Sequence, residues 1–220
     1  MSRIACGLKL GLSKAAATRL SKPRTPEGIQ DFVNSLPWNF ESGGWSALSV
    51  AGVLEHNHAH CIEGALIAAY LFWINGQSPL LMDMGAAKGD EDHVVALFRR
   101  GRYWGAISKS NTPFLRYRDP IYRSLRELTL SYFPHYIKHR RKTLRTYSVP
   151  FDLRRHDSNL WVTRAGFCQE IVTGLTASRH YAIVPPDMKT RLRPLDGIEA
   201  QASLLKQCVS VRGKSILQWP

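Results

Sequence analysis

The sequence has few cysteines, and none of them is spaced for pairing. No two form a Cys-x-x-Cys motif, and long stretches of chain separate all four: Cys6, Cys61, Cys168 and Cys208. This argues against a disulfide framework and against a four-cysteine zinc site. We therefore expect a reducing compartment and a cytoplasmic protein.

Long apolar runs are also missing. The longest, from Ala65 to Ile74, is well short of the roughly 18 to 20 residues that span a bilayer. We expect no transmembrane segment.

Acidic residues are scarce relative to basic ones. The chain has 17 acidic and 30 basic residues, which gives a formal net charge of +13. Such a charge leaves nucleic acid open as a partner, because Lys and Arg neutralise phosphates. However, the basic residues are spread along the chain apart from a run at 138–142, and no RNA-binding aromatic signature accompanies them. The distribution favours a solvated basic face.

The N-terminal residues, 1–24, contain no acid at all. They lack a continuous apolar stretch of the length found in secretory signals. Their composition predicts a basic, loosely ordered arm, although an organelle-targeting peptide would share it.

The overall composition is that of a folded globular protein. Hydrophobic residues make up 44% and charged residues 21% of 220 residues, which are ordinary values for such proteins. This length suits one domain. We assign 25–146 to the core and 147–220 to a C-terminal extension packed on it. The sequence does not indicate an oligomeric state.

Three helices are predicted in the first part of the core. Thr25-Pro26-Glu27 supplies a cap, a first-turn proline and an acid for a helix that ends before Pro37. Trp45 to Leu54 indicates a second helix or an ordered lead-in. From Cys61 to Trp73 apolar residues lie on nearly all faces, and Asn75-Gly76 follows, which predicts a buried helix with a left-handed C-terminal cap. The first two helices should pack on the third.

A short strand at 79–84 and a β-hairpin are predicted next. The hairpin strands are 93–98 and 103–108, and the link between them contains Gly101. If Arg99 pairs with Arg102, Ser108 lies opposite His93. His93 should share a face with Val95 and Leu97, because side chains alternate along a strand.

Asp119-Pro120 is typical of a helix start, with the aspartate as the N-cap. Apolar residues at spacings of three and four continue the pattern as Ile121, Leu125, Leu128, Tyr132 and Tyr136. A helix over this segment is predicted.

Cys61 stands at the predicted start of the buried helix. The positive end of the helix dipole lowers the pKa of a thiol there and favours the thiolate. The backbone NH groups of the first turn can also stabilise an oxyanion. A base is still needed, and His93 at the start of a hairpin strand is a candidate if the helix packs on the sheet. Taken singly, Cys61 could equally be a small buried hydrophobe, and His93 an exposed strand-end histidine.

The order of these features resembles the transglutaminase-like superfamily, with its papain-like cysteine core. His-Cys-Ile-Glu-Gly-Ala heads a buried helix, a Pro-led strand follows, Asp-His-Val opens the next strand, and a Trp-led strand comes after it. The resemblance covers roughly residues 25 to 137. It implies an α+β fold in which the buried cysteine helix packs on an antiparallel β-sheet. It also implies Cys61 as nucleophile and His93 as base.

The third catalytic position departs from the family pattern. Ser108 stands where the family usually has an aspartate late on the Trp-led strand. An uncharged residue can fix the imidazole tautomer but stabilises an imidazolium less than a carboxylate does. Asn111 could bend back into the same role, and either residue could be ordinary polar surface. Asp92 should point away from the face of its neighbour His93.

A rival interpretation takes the histidine run as a metal site. His56, His58 and His60 would share one side of an extended segment and could bind zinc or copper with Cys61. The motif is short and local, without a distant second pair of ligands. We therefore place metal binding second.

The resemblance implies a cysteine enzyme that needs no cofactor. It would transfer an acyl group from, or hydrolyse, an amide, peptide or ester bond through a thioester on Cys61, with a peptide, protein or small amide as substrate. A catalytically inactive scaffold of the same fold is the competing hypothesis, because fold does not fix function.

Overall fold

The structure, a computed structural model, describes residues 1–41, 46–211 and 214–217, with 208–217 described by backbone alone. Helices within these residues are α1 Arg3–Lys9, α2 Lys14–Leu20, α3 Pro26–Ser35, α4 Val50–His56, α5 Cys61–Ile74, α6 Leu125–Tyr132, α7 Gln169–Thr176 and α8 Gly197–Ser203. Short 3-10 turns occur at Pro113–Leu115, Phe133–His135, Leu153–Arg155, Ser158–Leu160 and Pro186–Met188.

The strands form one main sheet and three small two-stranded ones. They are β1 Leu80–Met84, β2 His93–Arg100, β3 Tyr103–Ile107, β4 Arg118–Tyr122, β5 Ile137–Lys138, β6 Arg141–Lys142, β7 Thr146–Ser148, β8 Phe151–Asp152, β9 His180–Ala182, β10 Cys208–Val211 and β11 Lys214–Leu217. The main sheet has the order β4-β3-β2-β1-β8, and each neighbouring pair is antiparallel. The fold is therefore α+β with an antiparallel sheet, as predicted.

Helix α5 is the buried centre of the molecule, as its uniformly apolar sequence predicts. Residues from Ile62 to Phe72 are all buried, and the Phe72 ring stacks on Phe98 of β2 with centroids 5.3 Å apart. Helices α3 and α4 also contact α5, as expected, although α4 starts at Val50 and Trp45 lies outside the described residues. Among the helices described, none combines the length and hydropathy needed to cross a bilayer.

The predicted hairpin is present, but its register differs from the expected one by two residues. Arg100 pairs with Tyr103, and Ala96 with Ile107. Continued by one pair, this register places Ser108 opposite Val95, so the prediction that Ser108 lies directly opposite His93 is wrong. Both turns have two central residues, but the observed one lies one position further along, at Gly101 and Arg102, and Gly101 has a φ of +61°. A shift of two preserves the side-chain alternation, so Ser108 stays on the face of His93.

The N-terminal segment is not a loose arm, and that prediction is wrong. Ser2 and Ser13 cap α1 and α2 by accepting hydrogen bonds from the NH groups of Ala5 and Ala16. Ala17 and Leu20 are buried in the same core as α5. The lack of acids was misleading, because apolar contacts rather than charge hold these two helices in place.

The predicted helix start at Asp119-Pro120 is also wrong. Arg118–Tyr122 is the edge strand β4, and the helix begins at Leu125 after its cap Ser124. An edge strand tolerates proline because one side of its backbone has no ladder partner. Ile121, assigned to the buried stripe, is 63% exposed.

The residues beyond 146 share the central core. Trp161, Val162, Ile171 and Leu175 are buried in the same apolar cluster as α5. The Trp161 ring stacks on Trp73 with centroids 5.6 Å apart. The division of the chain at 24 and 146 remains a prediction.

Gly64 allows the segment directly after β3, which contains Ser108, to approach α5 closely. A Cβ atom at Gly64 would lie 2.4 Å from Cβ of Lys109. Lys109 is buried, and its ammonium donates a hydrogen bond to the carbonyl of Leu36, at the C-terminal end of α3, where a cation is favourable. The absence of a side chain at 64 thus sets where Lys109, and Ser108 beside it, can lie.

We expect Gly64→Ala to lower the free energy of unfolding by about 1 to 3 kcal/mol, the usual cost of overpacking a core. Gly52→Ala in α4 is the matched control, since a Cβ there meets its nearest atom at 3.4 Å. It should be neutral or slightly stabilising, as alanine favours helix. Urea denaturation of both variants measures the difference, and equal effects would contradict the close approach.

Candidate active site

Cys61 is the first residue of α5, as predicted. The helix is capped by His60, and the chain enters from α4 through Asn57, whose φ of 51° lies in the left-handed region. An isolated parallel β-bridge between Trp38 and Ala59 holds the segment that leads into α5. Cys61 therefore lies in the first helical turn, where backbone NH groups have no acceptor within the helix.

His60 contacts the thiol directly, which sequence reasoning missed. Its Nδ1 lies 3.7 Å from Sγ of Cys61. Its Nε2 lies 3.0 Å from the carbonyl oxygen of Ser46. The ring is buried. His60 was considered only as a possible metal ligand, and its adjacency to Cys61 in the sequence is the one signal that could have pointed to this role.

A buried carboxylate organises the backbone and side chains around His60. Glu63 is fully buried and accepts hydrogen bonds from the amide of Asn39, the hydroxyl of Ser46 and the backbone NH groups of Leu48 and His60. Its Oε1 also lies 3.6 Å from Nε2 of His60. These contacts hold Glu63 beside the histidine that contacts the thiol.

His93 approaches the thiol from the sheet. It is the first residue of β2, and its interaction with Cys61 lowers the pKa of the thiol. Its Nε2 lies 2.5 Å from Oγ of Ser108, so Nδ1 is the ring nitrogen left for the thiol. The ring of Tyr136 meets that of His93 edge-on, with centroids 6.5 Å apart.

Ser108 lies against the imidazole of His93. Its backbone is held by Gln30 of α3, whose amide donates to the Ser108 carbonyl at 3.0 Å and accepts from the Ser108 NH at 3.2 Å. The backbone carbonyl of Asn111 accepts from the NH of Gln207. Oδ1 of Asp92 accepts a hydrogen bond from the NH of Ala86 at 2.7 Å.

We call Cys61, His60, His93 and Ser108 the thiol site. Cys61 is partly exposed, whereas the other three are buried. Cys61 is therefore the residue of the site that remains partly open to solvent, while its partners are shielded from water. Shielding strengthens the electrostatic interactions among them.

The histidines lower the pKa of the thiol strongly. Burial alone would raise the pKa of Cys61, but hydrogen bonds from His60 and His93 and the charges of both rings outweigh it and bring the pKa to about 5. By contrast, burial raises the pKa of Cys168 to about 12. The two cysteines of the same chain are thus opposite cases, one activated and one inert.

The pKa of His60 is raised to about 10. Burial acts against its charge, but the hydrogen bond to Cys61 and the negative charges of Cys61, Glu63 and Glu41 outweigh it. The opposite shifts of the two groups favour a thiolate–imidazolium pair of Cys61 and His60.

The geometry does not assemble the alternative metal site. His56 ends α4 and stacks on His58, with ring centroids 5.8 Å apart, while His60 turns to Cys61 and Ser46. Within the described part of the chain, no group of three or more His, Cys, Asp or Glu side chains is arranged to hold a metal ion.

Comparison with known proteins adds no family assignment. No protein-family model matches the chain, and a search of the curated proteins finds no similar sequence.

A buried aspartate lies behind the site. Asp83 of β1 is 2% exposed, and burial, followed by the negative charges of Asp92 and Cys61, raises its pKa to about 7. Nε2 of His180 is 3.6 Å from Oδ2 of Asp83. Because burial lowers the pKa of His180, its neutral ring compensates the carboxylate poorly.

We expect Asp83 to make the protein less stable as pH rises. Its pKa in the folded state lies above its ordinary value, so stability is full at acid pH and is lost as pH rises through about 7. The loss should amount to a few kcal/mol. Asp83→Asn should remove most of the decline, measured by urea denaturation from pH 5 to about pH 8.

Asp31→Asn, at an exposed carboxyl of α3, is the control and should leave the decline in place. A decline of the wild-type size in Asp83→Asn would contradict the assignment to Asp83.

Proposed function

We propose that the protein is a cysteine enzyme that transfers or hydrolyses acyl groups of amides, peptides or esters through a thioester on Cys61. The observation that carries the proposal is the position of His93, which lowers the pKa of the Cys61 thiol and has its Nε2 2.5 Å from Oγ of Ser108. A nucleophile, a base and a residue that orients the base are the parts that thiol catalysis needs.

We also propose that the fold is a transglutaminase-like, papain-like core. The contacts of α5 with β2, the cysteine at the head of α5 and the histidine at the start of β2 support this. All three occur in the order that the sequence resemblance implies. The likeness rests on these elements and their residues.

In the first step, the thiolate of Cys61 attacks the substrate carbonyl carbon. The Sγ–C bond forms while the carbonyl electron pair moves to oxygen, and collapse of this intermediate breaks the bond to the leaving group, which takes the proton that the thiol had given to a neighbouring imidazole. In the second step, His93 takes a proton from water, or from the acceptor of a transfer, as that nucleophile displaces Sγ.

The head of α5 can stabilise the oxyanion of both steps. Cys61 lies in the first turn, and its NH group and that of Ile62 belong to the donors without intrahelical acceptors. Aligned NH groups at a helix start also carry the positive end of the dipole. Such donors are the usual components of an oxyanion hole.

A hydroxyl in place of a carboxylate changes the role of the third residue. Ser108 is completely buried, and its oxygen can accept a hydrogen bond from Nε2 of His93, which keeps the Nδ1 lone pair toward the thiol. It brings no negative charge to stabilise the imidazolium. Ser108 therefore orients the ring of His93 but does little to raise the basicity of that ring.

Incubation with an activated ester such as p-nitrophenyl acetate should add one acetyl group to Cys61. Intact mass and peptide mapping would detect it, and Cys61→Ala should abolish both the adduct and the release of p-nitrophenol. Cys6→Ala removes a partly exposed cysteine outside the thiol site and should leave both unchanged. An inactive scaffold would show no adduct at Cys61.

Removing the hydroxyl of Ser108 should slow turnover of the same ester. We expect Ser108→Ala to lower kcat/KM by about tenfold, and His93→Gln to lower it by about a hundredfold or more, because general acid–base catalysis is lost. Steady-state kinetics measures both. A Ser108→Ala enzyme as fast as the wild type would remove Ser108 from the mechanism.

A further inference from the structure

We propose that His60 is a second catalytic histidine, which holds the proton of the Cys61 thiol in the resting enzyme. This inference rests on the proposed function for its catalytic meaning. The contact behind it is the 3.7 Å approach of His60 Nδ1 to the sulfur.

The hydrogen bond on the far side of the ring fixes the tautomer of His60. Nε2 lies 3.0 Å from the carbonyl oxygen of Ser46, and a carbonyl oxygen can only accept. Nε2 must therefore carry a hydrogen in the neutral as well as the charged ring. It follows that Nδ1 of neutral His60 has its lone pair directed at the thiol, ready to take the proton.

Two carboxylates stabilise the charge that His60 gains. Oε1 of Glu63 and Oε1 of Glu41 lie 3.6 Å and 3.5 Å from its Nε2. Glu63 is buried and held by four other donors, so it is fixed in place. His93, by comparison, has the neutral hydroxyl of Ser108 against its Nε2. The surroundings therefore favour the proton on His60.

The resting transfer is balanced within the pair. The S–H bond breaks, its electron pair remains on Sγ, and the proton moves to Nδ1 of His60. The Nδ1 lone pair of His93 then stays available for the proton of the attacking water. His60 supplies the proton that the leaving group needs, and the proton collected by His93 returns through Sγ to His60.

Several other titratable groups surround this pair. The charges of Glu63 and Glu41 raise the pKa of His60, and His58 interacts with it electrostatically. On the side of the sheet, His93 lowers the pKa of the thiol, and the negative charge of Cys61 contributes to the raised pKa of Asp83 and of Tyr136. The low pKa of Cys61 and the high pKa of His60 agree with the proton position proposed from geometry.

The test is the pH dependence of alkylation of Cys61 by iodoacetamide, followed by peptide mapping. The midpoint of the profile is the readout, because it reports thiolate formation, whereas a rate at one pH also varies with the nucleophilicity of the sulfur. We expect a wild-type midpoint near pH 5. His60→Gln should move it upward by about two units or more, toward the ordinary thiol value, and His93→Gln should move it less.

Two further measurements keep the test decisive if His60→Gln disturbs the fold. Cys168 is buried, so its protection from alkylation reports an intact core in every variant. Glu41→Gln removes a charge beside His60 but keeps an oxygen to accept from the NH of Ser46. It should shift the midpoint upward by a few tenths of a unit, as a partly screened charge does.

A wild-type midpoint in a folded His60→Gln protein would overturn the inference. So would a wild-type midpoint in Glu41→Gln if His60→Gln does not fold. These outcomes are separate from failure of the proposed function. An acyl adduct on Cys61 with an unshifted midpoint would support the enzyme proposal and contradict the role of His60. A shifted midpoint without any adduct would support the role of His60 and contradict the enzyme proposal.

Discussion

The thiol site depends on one buried carboxylate. Glu63 draws together the head of α5, the backbone at Leu48 and the side chains of Asn39 and Ser46. A buried charge is costly unless hydrogen bonds compensate it, and here the compensating donors are the groups that surround His60. The solvation requirement of one acid thus determines where the histidine beside the thiol must lie.

The second constraint is the close approach of α5 to the sheet. Burial of the helix is nearly complete, and Gly64 leaves room for Lys109 against it. Ser108 precedes Lys109, and Gln30 of α3 holds its backbone. Packing in the core therefore places the hydroxyl that contacts His93, and the chemistry at Cys61 is coupled to apolar contacts some residues away.

The sequence predicted the parts of the fold that periodicity controls. An apolar pattern on all faces gave the buried helix α5, and alternation with a glycine link gave the hairpin β2–β3. Cys61 and His93 could be matched because each stands at the end of such an element. The register was missed by two residues, since a two-residue turn can be placed at Arg100-Gly101 or at Gly101-Arg102 within the same link.

His60 could not be placed by the same reasoning. Its ring position depends on the left-handed turn at Asn57 and on a carbonyl at Ser46, neither of which a spacing of histidines reveals. Strand β4 could not be predicted by such reasoning either. Asp119-Pro120 favours a helix start, but an edge strand accommodates the proline equally well. Sequence motifs of a few residues do not predict a position that depends on contacts with backbone far away in the chain.

The central claim is that the sulfur of Cys61 is ionised near neutral pH. Its most direct test is the ultraviolet absorbance of the thiolate, titrated with pH as a difference between the wild type and Cys61→Ala. The account predicts one thiolate that appears with a midpoint near pH 5. A difference signal that appears only above about pH 8, as for a free thiol, would contradict it.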